Sequence, residues 1–342
     1  MTSTSYPILR LRRGKEESLD RFHPWVFSGA LTEMPGEDSG IEEGDIVRIA
    51  ASDGRIIGVG HFQIGSIAVR MLDFADSIVD SDFFTSRLAQ AYALRRTLGL
   101  RRPDNNAFRL VHGEGDFLPG LIVDVYGPTA VLQAHSPGMH FARDIIAHAL
   151  VELPDAGIRN VYYKSETTKA HLDPQNDYIV GGFDTDIATE NGLRFHVDWL
   201  RGQKTGFFVD QRDNRELLRR YSAGRRVLNM FCYTGGFSVY SLAGGAESVH
   251  SVDSSAKAVS LTDANVSLNF DAEADARHRS YAEDAFKFLD NMEAGTYDLI
   301  VLDPPAFAKH RGAIRNALRG YQRINFRAFE KIAPGGLLFT FS

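Results

Sequence analysis

The sequence predicts a multidomain protein with a small N-terminal β-barrel, a central α+β domain and a C-terminal α/β domain built on a parallel sheet. The chain of 342 residues is longer than one ordinary domain. Turn residues recur at close spacing in its first part, and from about Gly202 helical segments alternate with apolar strands. We therefore place the three domains at residues 1–74, 75–190 and 191–342.

The barrel is predicted from short strands that are interrupted by Gly and Asp. Apolar runs at 44–49, 55–60 and 67–72 are separated by turn residues, which is typical of a small barrel. A helix over 82–98 follows, because apolar residues recur there at helical spacing.

The central domain is predicted to combine a β-hairpin with one helix. Strands at 121–126 and 130–134 flank a Gly-Pro turn, and the helix covers 141–152. Further strands are expected near Val161 and Ile179.

The C-terminal domain is predicted to begin with a turn at 190–192 between two strands. Apolar strands separated by helical segments follow at 227–231, 249–253, 299–303 and 337–341. Buried parallel strands have this composition. Since ligands bind at the carboxyl ends of such strands, the residues that follow them are the candidate site.

Composition argues against several classes of protein. A single cysteine, Cys232, cannot form a disulfide framework or a multi-cysteine metal site, which fits the cytoplasm. Neither the N-terminus nor any later stretch has the apolar length of a secretory signal or a membrane span, and the histidines lack metal-ligand spacing. The net charge of -6 counts mildly against nucleic acid, although a local basic patch would decide that question.

The strongest local motif is Asn229–Phe237, where an apolar strand runs into Gly235-Gly236 and a helix follows. Glycine lets the backbone approach a ligand closely. The next strand ends in Asp253, whose carboxylate can accept both hydroxyls of a ribose. Together these features indicate a nucleoside cofactor, with an ordinary tight turn as the alternative. The missing G-x-G-x-x-G pattern weakens an NAD interpretation.

Two further acidic residues follow strands. Asp284 can meet an adenine amino group, although aspartate is also common at helix starts. Another strand ends in Asp303-Pro304-Pro305, where the prolines prevent continuation of helix or ladder. They would hold a carboxylate and carbonyls rigidly, as recognition of a planar base with an exocyclic amine requires. This turn indicates base methylation, and a purely structural turn is the alternative.

A basic helix follows the diproline turn. Arginine recurs every fourth residue, at Arg311, Arg315, Arg319, Arg323 and Arg327. This spacing keeps the side chains on one slowly winding face, and the helix itself carries a single acid, Glu330. We expect the face to contact RNA phosphates, with a solvated helix face as the alternative. The apolar side is expected to consist of Ile314, Leu318, Tyr321, Ala328 and Ile332.

Two other features have less definite interpretations. The segment Gln203–Arg212 is expected to form a loop and a helix start, with Asp210 near the cap. Cys232 lies in the glycine loop, where a thiol would face the cofactor rather than a base, and a packing role is expected.

In combination, these segments resemble the large-subunit rRNA methyltransferase I family, the PUA-domain-containing cytosine-5 methyltransferases. The matching segments are Arg21–Gly29, Gly113–Asp124, Gln203–Arg215, Tyr233–Phe237 and Asp303–Phe307. The resemblance covers essentially the whole chain. It implies an RNA-binding PUA barrel, a central α+β domain and a Rossmann-like methyltransferase domain that uses S-adenosylmethionine on ribosomal RNA. A homodimer is left open.

The resemblance also implies roles for individual residues. Asp253 would hold the ribose, Asp284 the adenine, and Asp303 with Pro304 and Pro305 the target base. The methionine part of the cofactor would lie against Tyr233, Thr234, Gly235, Gly236 and Phe237.

The sequence departs from this family at its end. In cytosine-5 enzymes a cysteine thiolate adds to carbon 6 of the base, and the family carries it just after the strand that matches Leu337 to Ser342. No cysteine follows Pro305 here. We therefore expect a C-terminally truncated chain with an incomplete sheet, inactive by itself.

Three alternatives remain at this point. An rRNA guanine N-7 methyltransferase shares the diproline turn and needs no cysteine. A non-catalytic RNA-binding protein would use only the barrel and the arginine helix. A nucleotide-dependent oxidoreductase leaves Asp303-Pro304-Pro305 unexplained.

Overall fold

The computed structural model describes residues 6–165, 176–308 and 311–341. The chain forms two compact units. The first consists of Met1–Asp186 with Val197–Val209, and the second of Ile187–His196 with Asp210–Ser342.

The first unit begins with a five-stranded sheet in the order β1-β3-β4-β5-β2. Its strands are β1 (Ile8–Arg10), β2 (Trp25–Phe27), β3 (Ile46–Ala50), β4 (Ile56–Phe62) and β5 (Ile67–Asp73), with a short helix α1 at Glu17–Asp20. Leu11, just after β1, forms a bridge with Leu31, just after β2, so the two edges of the sheet meet at one end. This is the predicted barrel.

The same unit continues with helix α2 (Ser81–Thr97) and a second five-stranded sheet. In the order β10-β9-β8-β7-β6 the sheet contains β6 (Ala107–His112), β7 (Leu121–Tyr126), β8 (Thr129–Ala134), β9 (Asn160–Tyr163) and β10 (Asp177–Val180). The predicted hairpin is β7-β8. The one helix predicted at 141–152 is two helices, α3 (Pro137–Phe141) and α4 (Arg143–Val151), because Pro137 favours an earlier start at the first helical position.

Residues of both sheets share one hydrophobic core in the first unit. Val59 and Leu72 of the barrel pack in the same buried cluster as Leu88, Val123 and Ile146. A second buried cluster lies within the barrel and includes Val47 and Ile49.

The second unit opens with an antiparallel hairpin of β11 (Ile187–Glu190) and β12 (Leu193–His196). Asn191 and Gly192 join the strands with φ of 49° and 81°. A two-residue hairpin turn with two positive φ angles favours Asn-Gly, so the predicted turn is confirmed.

The rest of the second unit is a parallel sheet in the order β15-β14-β13-β16-β17. Its strands are β13 (Arg226–Met230), β14 (Ser248–Asp253), β15 (His278–Ala282), β16 (Leu299–Leu302) and β17 (Leu337–Thr340). The helices are α5 (Arg212–Tyr221), α6 (Gly236–Ala243), α7 (Ala256–Asn269), α8 (Ala272–Asp275), α9 (Ala285–Asn291) and α10 (Ile314–Lys331). The predicted α/β fold is confirmed. The central strands β13 and β16 are apolar and almost wholly buried, as in a parallel sheet that is covered on both faces, whereas the edge strand β15 is polar and has no buried residue.

Within the described parts of the chain, none of the helices combines the length and the apolar character that crossing a membrane requires.

Candidate active site

The segments singled out in the sequence lie along one edge of the parallel sheet. Met230, the last residue of β13, is in register with Val252 of β14 and Leu302 of β16. The glycine loop, Asp253 and Asp303 therefore follow three adjacent strands at the same edge. The chain order reverses at β13, and open α/β sheets bind ligands in the crevice at such a reversal.

The loop after β13 has an unusual backbone. Phe231, Tyr233 and Gly235 have φ of 58°, 47° and 76°. Bulky residues rarely adopt this left-handed region, and such strain concentrates at ligand-binding sites. A Cβ on Gly235 would lie 2.5 Å from Cγ2 of Thr262, so this position admits only glycine without a shift.

Hydrogen bonds from β14 and α7 hold the loop. The Tyr233 N–H donates to Oδ2 of Asp253 at 3.0 Å. The Thr262 hydroxyl donates to the Tyr233 carbonyl at 2.9 Å, and Nδ2 of Asn265 donates to the Thr234 carbonyl at 2.8 Å. Sequence reasoning missed Thr262 and Asn265. The sequence did contain a signal for them, namely two polar residues three positions apart on the helix that follows Asp253.

Asp253 organises the loop and still offers acceptor sites. Its Oδ1 accepts the Ser255 N–H at 2.9 Å and its Oδ2 accepts the Tyr233 N–H. A carboxylate has about four lone-pair sites. The remaining sites can accept the hydroxyls of a ribose.

A buried ion pair lies behind the glycine loop. Arg215 donates to Glu190 through Nε at 2.8 Å and Nη2 at 2.7 Å. The Tyr240 hydroxyl donates to the same carboxylate at 3.0 Å, and burial raises the pKa of that tyrosine above its usual range. A Cβ on Gly236 would lie 3.0 Å from Cδ of Arg215, so the second glycine lets α6 pack on this arginine.

Cys232 is a packing residue, as expected. Its side chain is buried, with Sγ 3.6 Å from Oγ1 of Thr262. Burial raises the pKa of the thiol to about 12. At neutral pH it is therefore protonated and a weak nucleophile.

Asp284 lies two residues beyond β15, the neighbour of β14. Its Oδ1 accepts the Lys287 N–H at 3.0 Å and caps α9. The capping alternative is therefore observed. The carboxylate is exposed and can accept a further hydrogen bond with its other oxygen.

The Asp303-Pro304-Pro305 turn directly follows β16. Asp303 is half-buried, Pro304 is buried and Pro305 is exposed. Two residues further, the ring of Phe307 lies 4.6 Å from the ring of Tyr321 on α10. The turn is therefore joined to the basic helix by aromatic packing.

The arginines of α10 divide into two groups. Arg323 and Arg327 pair with Asp290 of α9 at 3.8 Å and 3.2 Å, and Arg327 also pairs with Glu330 at 2.9 Å. Arg315 and Arg319 are exposed and form no ion pair with any residue that the structure describes. The side chain of Arg311 lies outside the described part. Counting the acidic residues of α10 alone did not predict these ion pairs, because Asp290 belongs to another helix, α9.

The predicted apolar side of α10 is partly wrong. Its buried residues are Ala317, Ile324 and Ala328, whereas Ile314 and Leu318 are 48% and 62% exposed. Leu318 lies about 100° around the helix from Ala317, because a turn contains 3.6 residues. It therefore points away from the buried stripe.

The segment Gln203–Arg212 forms the expected loop and helix start. The buried Thr205 hydroxyl donates to Oδ2 of Asp124 at 2.6 Å, in the first unit. The N-cap of α5 is Gln211, and Asp210 directly precedes it, near the cap as expected.

Among the described residues, no three histidine, cysteine, aspartate or glutamate side chains are grouped as a metal site requires.

A parallel sheet with a strained glycine loop, an acidic end on the neighbouring strand and an Asp-Pro-Pro turn on the other side is the kind of edge at which an open α/β fold binds a nucleotide-like ligand, and the class of protein it belongs to is that of the S-adenosylmethionine-dependent methyltransferases. The model of a family described as S-adenosylmethionine-dependent methyltransferase matches residues 171–341, and that of a PUA-like domain matches 9–74. The chain belongs to the ribosomal RNA large subunit methyltransferase I family, whose members resemble it along almost its whole length.

Two relatives that carry the name ribosomal RNA large subunit methyltransferase I illustrate this likeness. The protein of Aeromonas salmonicida is 40% identical and that of Shewanella denitrificans is 38% identical. Both alignments cover 98% of this chain and 85% of the relative.

Solved structures share the fold. An S-adenosylmethionine-dependent methyltransferase from Streptococcus mutans has a TM-score of 0.76 at 22% identity. A methyltransferase in complex with SAH has a TM-score of 0.78 at 23% identity. Each match covers 98% of this chain and 85% of the other.

Proposed function

We propose that this protein transfers the methyl group of S-adenosylmethionine to carbon 5 of a cytosine in 23S ribosomal RNA. The observation that carries the proposal is the register of Met230 with Val252 and Leu302. It aligns the glycine loop with the strand ends that carry Asp253 and Asp303. The names of the relatives support large-subunit ribosomal RNA as the substrate.

The cofactor roles follow the order of the strands. Asp253 binds the ribose hydroxyls, and Asp284, one strand further out, binds the adenine amino group. The methionine part lies against Tyr233, Thr234, Gly235, Gly236 and Phe237. Support comes from the strained loop and from the lone pairs of Asp253 that its two backbone bonds leave unused.

The target base is flipped out of the RNA to reach the methyl donor. The Asp303 carboxylate and the Pro304 carbonyl accept hydrogen bonds from it, and Pro305 stiffens the turn. Alignment of the methyl carbon with the attacking atom supplies much of the rate. Attack by cytosine carbon 5 also requires a thiolate on carbon 6, a role for which the buried thiol of Cys232 is unsuited.

The second candidate function is methylation of guanine at N-7. It is favoured by one observation, the burial of the only cysteine of this sequence. That nitrogen is already nucleophilic and needs no thiolate.

RNA phosphates are proposed to bind the arginine helix at Arg311, Arg315, Arg319 and Arg323. Arg315 and Arg319 support this best, since both are exposed and unpaired within the described part of the chain. Arg315→Ala should weaken RNA binding. It should also lower by about one the number of counterions released on binding, which is read from the salt dependence of the affinity. Arg327→Ala is the matched control, because its guanidinium is already paired with Asp290 and Glu330. Equal losses in the two variants would count against this contact.

The organisation proposed for the chain is a PUA-like barrel at 1–74, a central domain at 75–190 and a methyltransferase domain at 191–342. The compact units differ from these bounds in two places, because β11 (Ile187–Glu190) belongs to the second unit and Val197–Val209 to the first. We further propose a cytoplasmic location, and a homodimer is the oligomer to test first by ultracentrifugation.

The decisive test is Asp303→Ala in the full-length enzyme. We expect methyl transfer to ribosomal RNA to be lost while calorimetry shows unchanged S-adenosylmethionine affinity, because Asp303 acts on the base. Glu273→Ala, an exposed acid of the same unit, is the control and should keep both properties. Undiminished transfer in the aspartate variant would refute the proposed role. Mass mapping of the methylated nucleotide separates cytosine from guanine.

A further inference from the structure

A row of buried polar side chains crosses the parallel sheet of the second unit. Nδ2 of Asn229 on β13 donates to Oγ of Ser238 on α6 at 2.8 Å. Oγ of Ser238 lies 2.6 Å from Oγ of Ser251 on β14, which in turn lies 2.8 Å from Nε2 of His278 on β15. Nδ1 of His278 lies 3.6 Å from Oδ1 of Asp263 on α7. We call Asn229, Ser238, Ser251 and His278 the polar network.

All four side chains of the polar network are withdrawn from solvent. Asn229 is 1% exposed, both serines are fully buried, and the His278 side chain is 4% exposed. A buried polar group is costly unless it is hydrogen-bonded, and apolar residues of the same shape can fill the same space at little cost. What the network adds is direction, because satisfied hydrogen bonds hold their members in one arrangement.

The hydrogens of the polar network have one arrangement that satisfies both hydroxyls. Nδ2 of Asn229 can only donate, and each serine has one hydrogen to give. Ser238 therefore donates to Ser251, and Ser251 to Nε2 of His278, because neither hydroxyl has a further partner among the described residues. This arrangement requires a neutral ring whose hydrogen is on Nδ1, the side of Asp263.

The polar network is attached to both ends of the glycine loop. Asn229 lies two residues before Phe231, where the loop begins, and Ser238 lies in the first turn of α6, directly after the loop. Ser251 is the register partner of Asn229 and lies two residues before Asp253, so the two share a face of β14. A displaced link would therefore move either the loop or the strand end that carries Asp253.

The polar network also meets the helix that holds the loop. Asp263 lies on α7 between Thr262 and Asn265, whose side chains donate to carbonyls of the loop. The contact of Asp263 with His278 joins α7 to β15. The elements that surround the loop are thus connected through one ring.

We propose that His278 is a positioning residue for S-adenosylmethionine binding. Through Ser251 and Ser238, its ring holds the end of β14 and the first turn of α6 in the arrangement that receives the cofactor. His278 is the first residue of β15 and lies away from the carboxyl edge of the sheet, so it acts through these serines. The inference rests on the proposed function in taking Asp253 and the glycine loop as the cofactor site.

Calorimetry on two variants of similar size tests the role of the acceptor. His278→Gln keeps a side-chain oxygen that can accept the hydrogen of Ser251, and it should bind S-adenosylmethionine within about two-fold of the parent. His278→Leu has no acceptor and should bind the cofactor at least about five-fold more weakly. Equal affinities in these two variants would overturn the inference.

Two buried serines of α6 provide a matched comparison. Ser238 belongs to the polar network, whereas Ser241 is equally buried and its hydroxyl has no partner among the described residues. Ser238→Ala should weaken cofactor binding at least about five-fold, and Ser241→Ala should bind like the parent. Equal losses in both variants would assign the effect to the packing of α6 and contradict the proposal.

Kinetics of the full-length enzyme separate cofactor positioning from general damage to the fold. His278→Leu should raise the KM for S-adenosylmethionine at least about five-fold and keep kcat within about two-fold, because the polar network does not include the strand that carries Asp303. A lower kcat with an unchanged KM would contradict the assigned role.

Nitrogen-15 NMR of the His278 ring tests the arrangement of hydrogens. In the parent, the spectrum should show a hydrogen on Nδ1 and an accepting Nε2. Ser251→Ala should shift the Nε2 signal, because the donor is lost. A parent ring with its hydrogen on Nε2 would refute this arrangement even if the variants failed to fold.

The outcomes distinguish this inference from the proposed function. A parent protein that binds no S-adenosylmethionine would refute the cofactor site, and the role of His278 with it. A parent that binds the cofactor, with His278→Leu and Ser238→Ala binding equally well, would overturn the inference alone. Circular dichroism should show that the variants keep the parent fold.

Discussion

At the scale of single residues, Gly235 is the position where backbone and packing agree most closely. Its φ of 76° requires glycine, and so does the Thr262 methyl group, which lies 2.5 Å from the position that a Cβ would occupy. We expect Gly235→Ala to weaken S-adenosylmethionine binding at least about ten-fold, because the added Cβ would collide with Thr262 and displace the loop that is proposed to bind the cofactor. Calorimetry measures this directly.

Gly224→Ala is the matched control for that variant. Its φ is 65°, yet a Cβ there would meet nothing within 4 Å. It should lose some stability to the same backbone strain and keep its cofactor affinity. If both variants bound the cofactor equally well, the loop would not need the close approach to Thr262.

His61 makes the stability of the first unit depend on pH. Its ring is buried against Gly138, and burial lowers its pKa from 6.5 to about 4. Between these values the unfolded chain binds a proton that the folded chain excludes. The free energy of unfolding should therefore fall by about 3 kcal/mol as the pH drops from above 6.5 to 4.

Urea unfolding at about pH 7.5 and at about pH 4.5 measures the effect, because most of the change in the free energy of unfolding falls between these two pH values. His61→Gln should show a smaller pH dependence than the parent, whereas a variant of the exposed His148 should retain it. An unchanged pH dependence in His61→Gln would assign the effect to other groups.

Several site residues were predictable because chain order alone places them at strand ends. Asp253 and Asp303 follow apolar strands, and parallel strands end at one edge. Thr262, Asn265 and Asp290 were not predictable in this way. Their roles depend on which side of their helix faces a loop or another helix. A single sequence does not give the rotation of a helix about its axis.

At the scale of secondary structure elements, the Glu190–Arg215 pair joins the β11-β12 hairpin to α5. Arg215 is 3% exposed and Glu190 is fully buried. Arg215→Met should lower the free energy of unfolding by about 3–5 kcal/mol, because it leaves a buried carboxylate without a partner. Chemical denaturation of the second unit, followed by circular dichroism, measures the loss.

Two further variants test that explanation. Glu190→Gln combined with Arg215→Met should recover part of the stability, since the uncompensated charge is removed. Arg219→Met on the same helix, where the arginine is more exposed, should have little effect. A double variant no more stable than Arg215→Met would contradict the charge-based account.

Elements with a strong local signal were predicted well. The Asn191-Gly192 turn requires positive φ at both residues, and the central apolar strands β13 and β16 are almost wholly buried. The apolar side of α10 was predicted less well. The buried Ala328 was expected and the buried Ala317 and Ile324 were not, because composition does not give the rotation of a helix about its axis.

At the scale of the whole molecule, both tryptophans lie in the first unit and the proposed cofactor site in the second. Each unit has its own buried core. SAH at about 100 times its Kd should stabilise the second unit by about 2.7 kcal/mol. We expect the circular dichroism transition of that unit to move upward while the tryptophan fluorescence transition stays in place. Equal shifts of both transitions would show that the units unfold as one.

The path of the chain between the units has a consequence for genetic exchange. The hairpin Ile187–His196 belongs to the second unit, but Val197–Val209 returns to the first. A gene fragment that starts at Asp210 would encode the whole parallel sheet and omit Glu190, the partner of a buried arginine. A single crossover at Asp210 therefore cannot transplant an intact second unit, and one placed before Ile187 does so only by also carrying Val197–Val209 of the first unit.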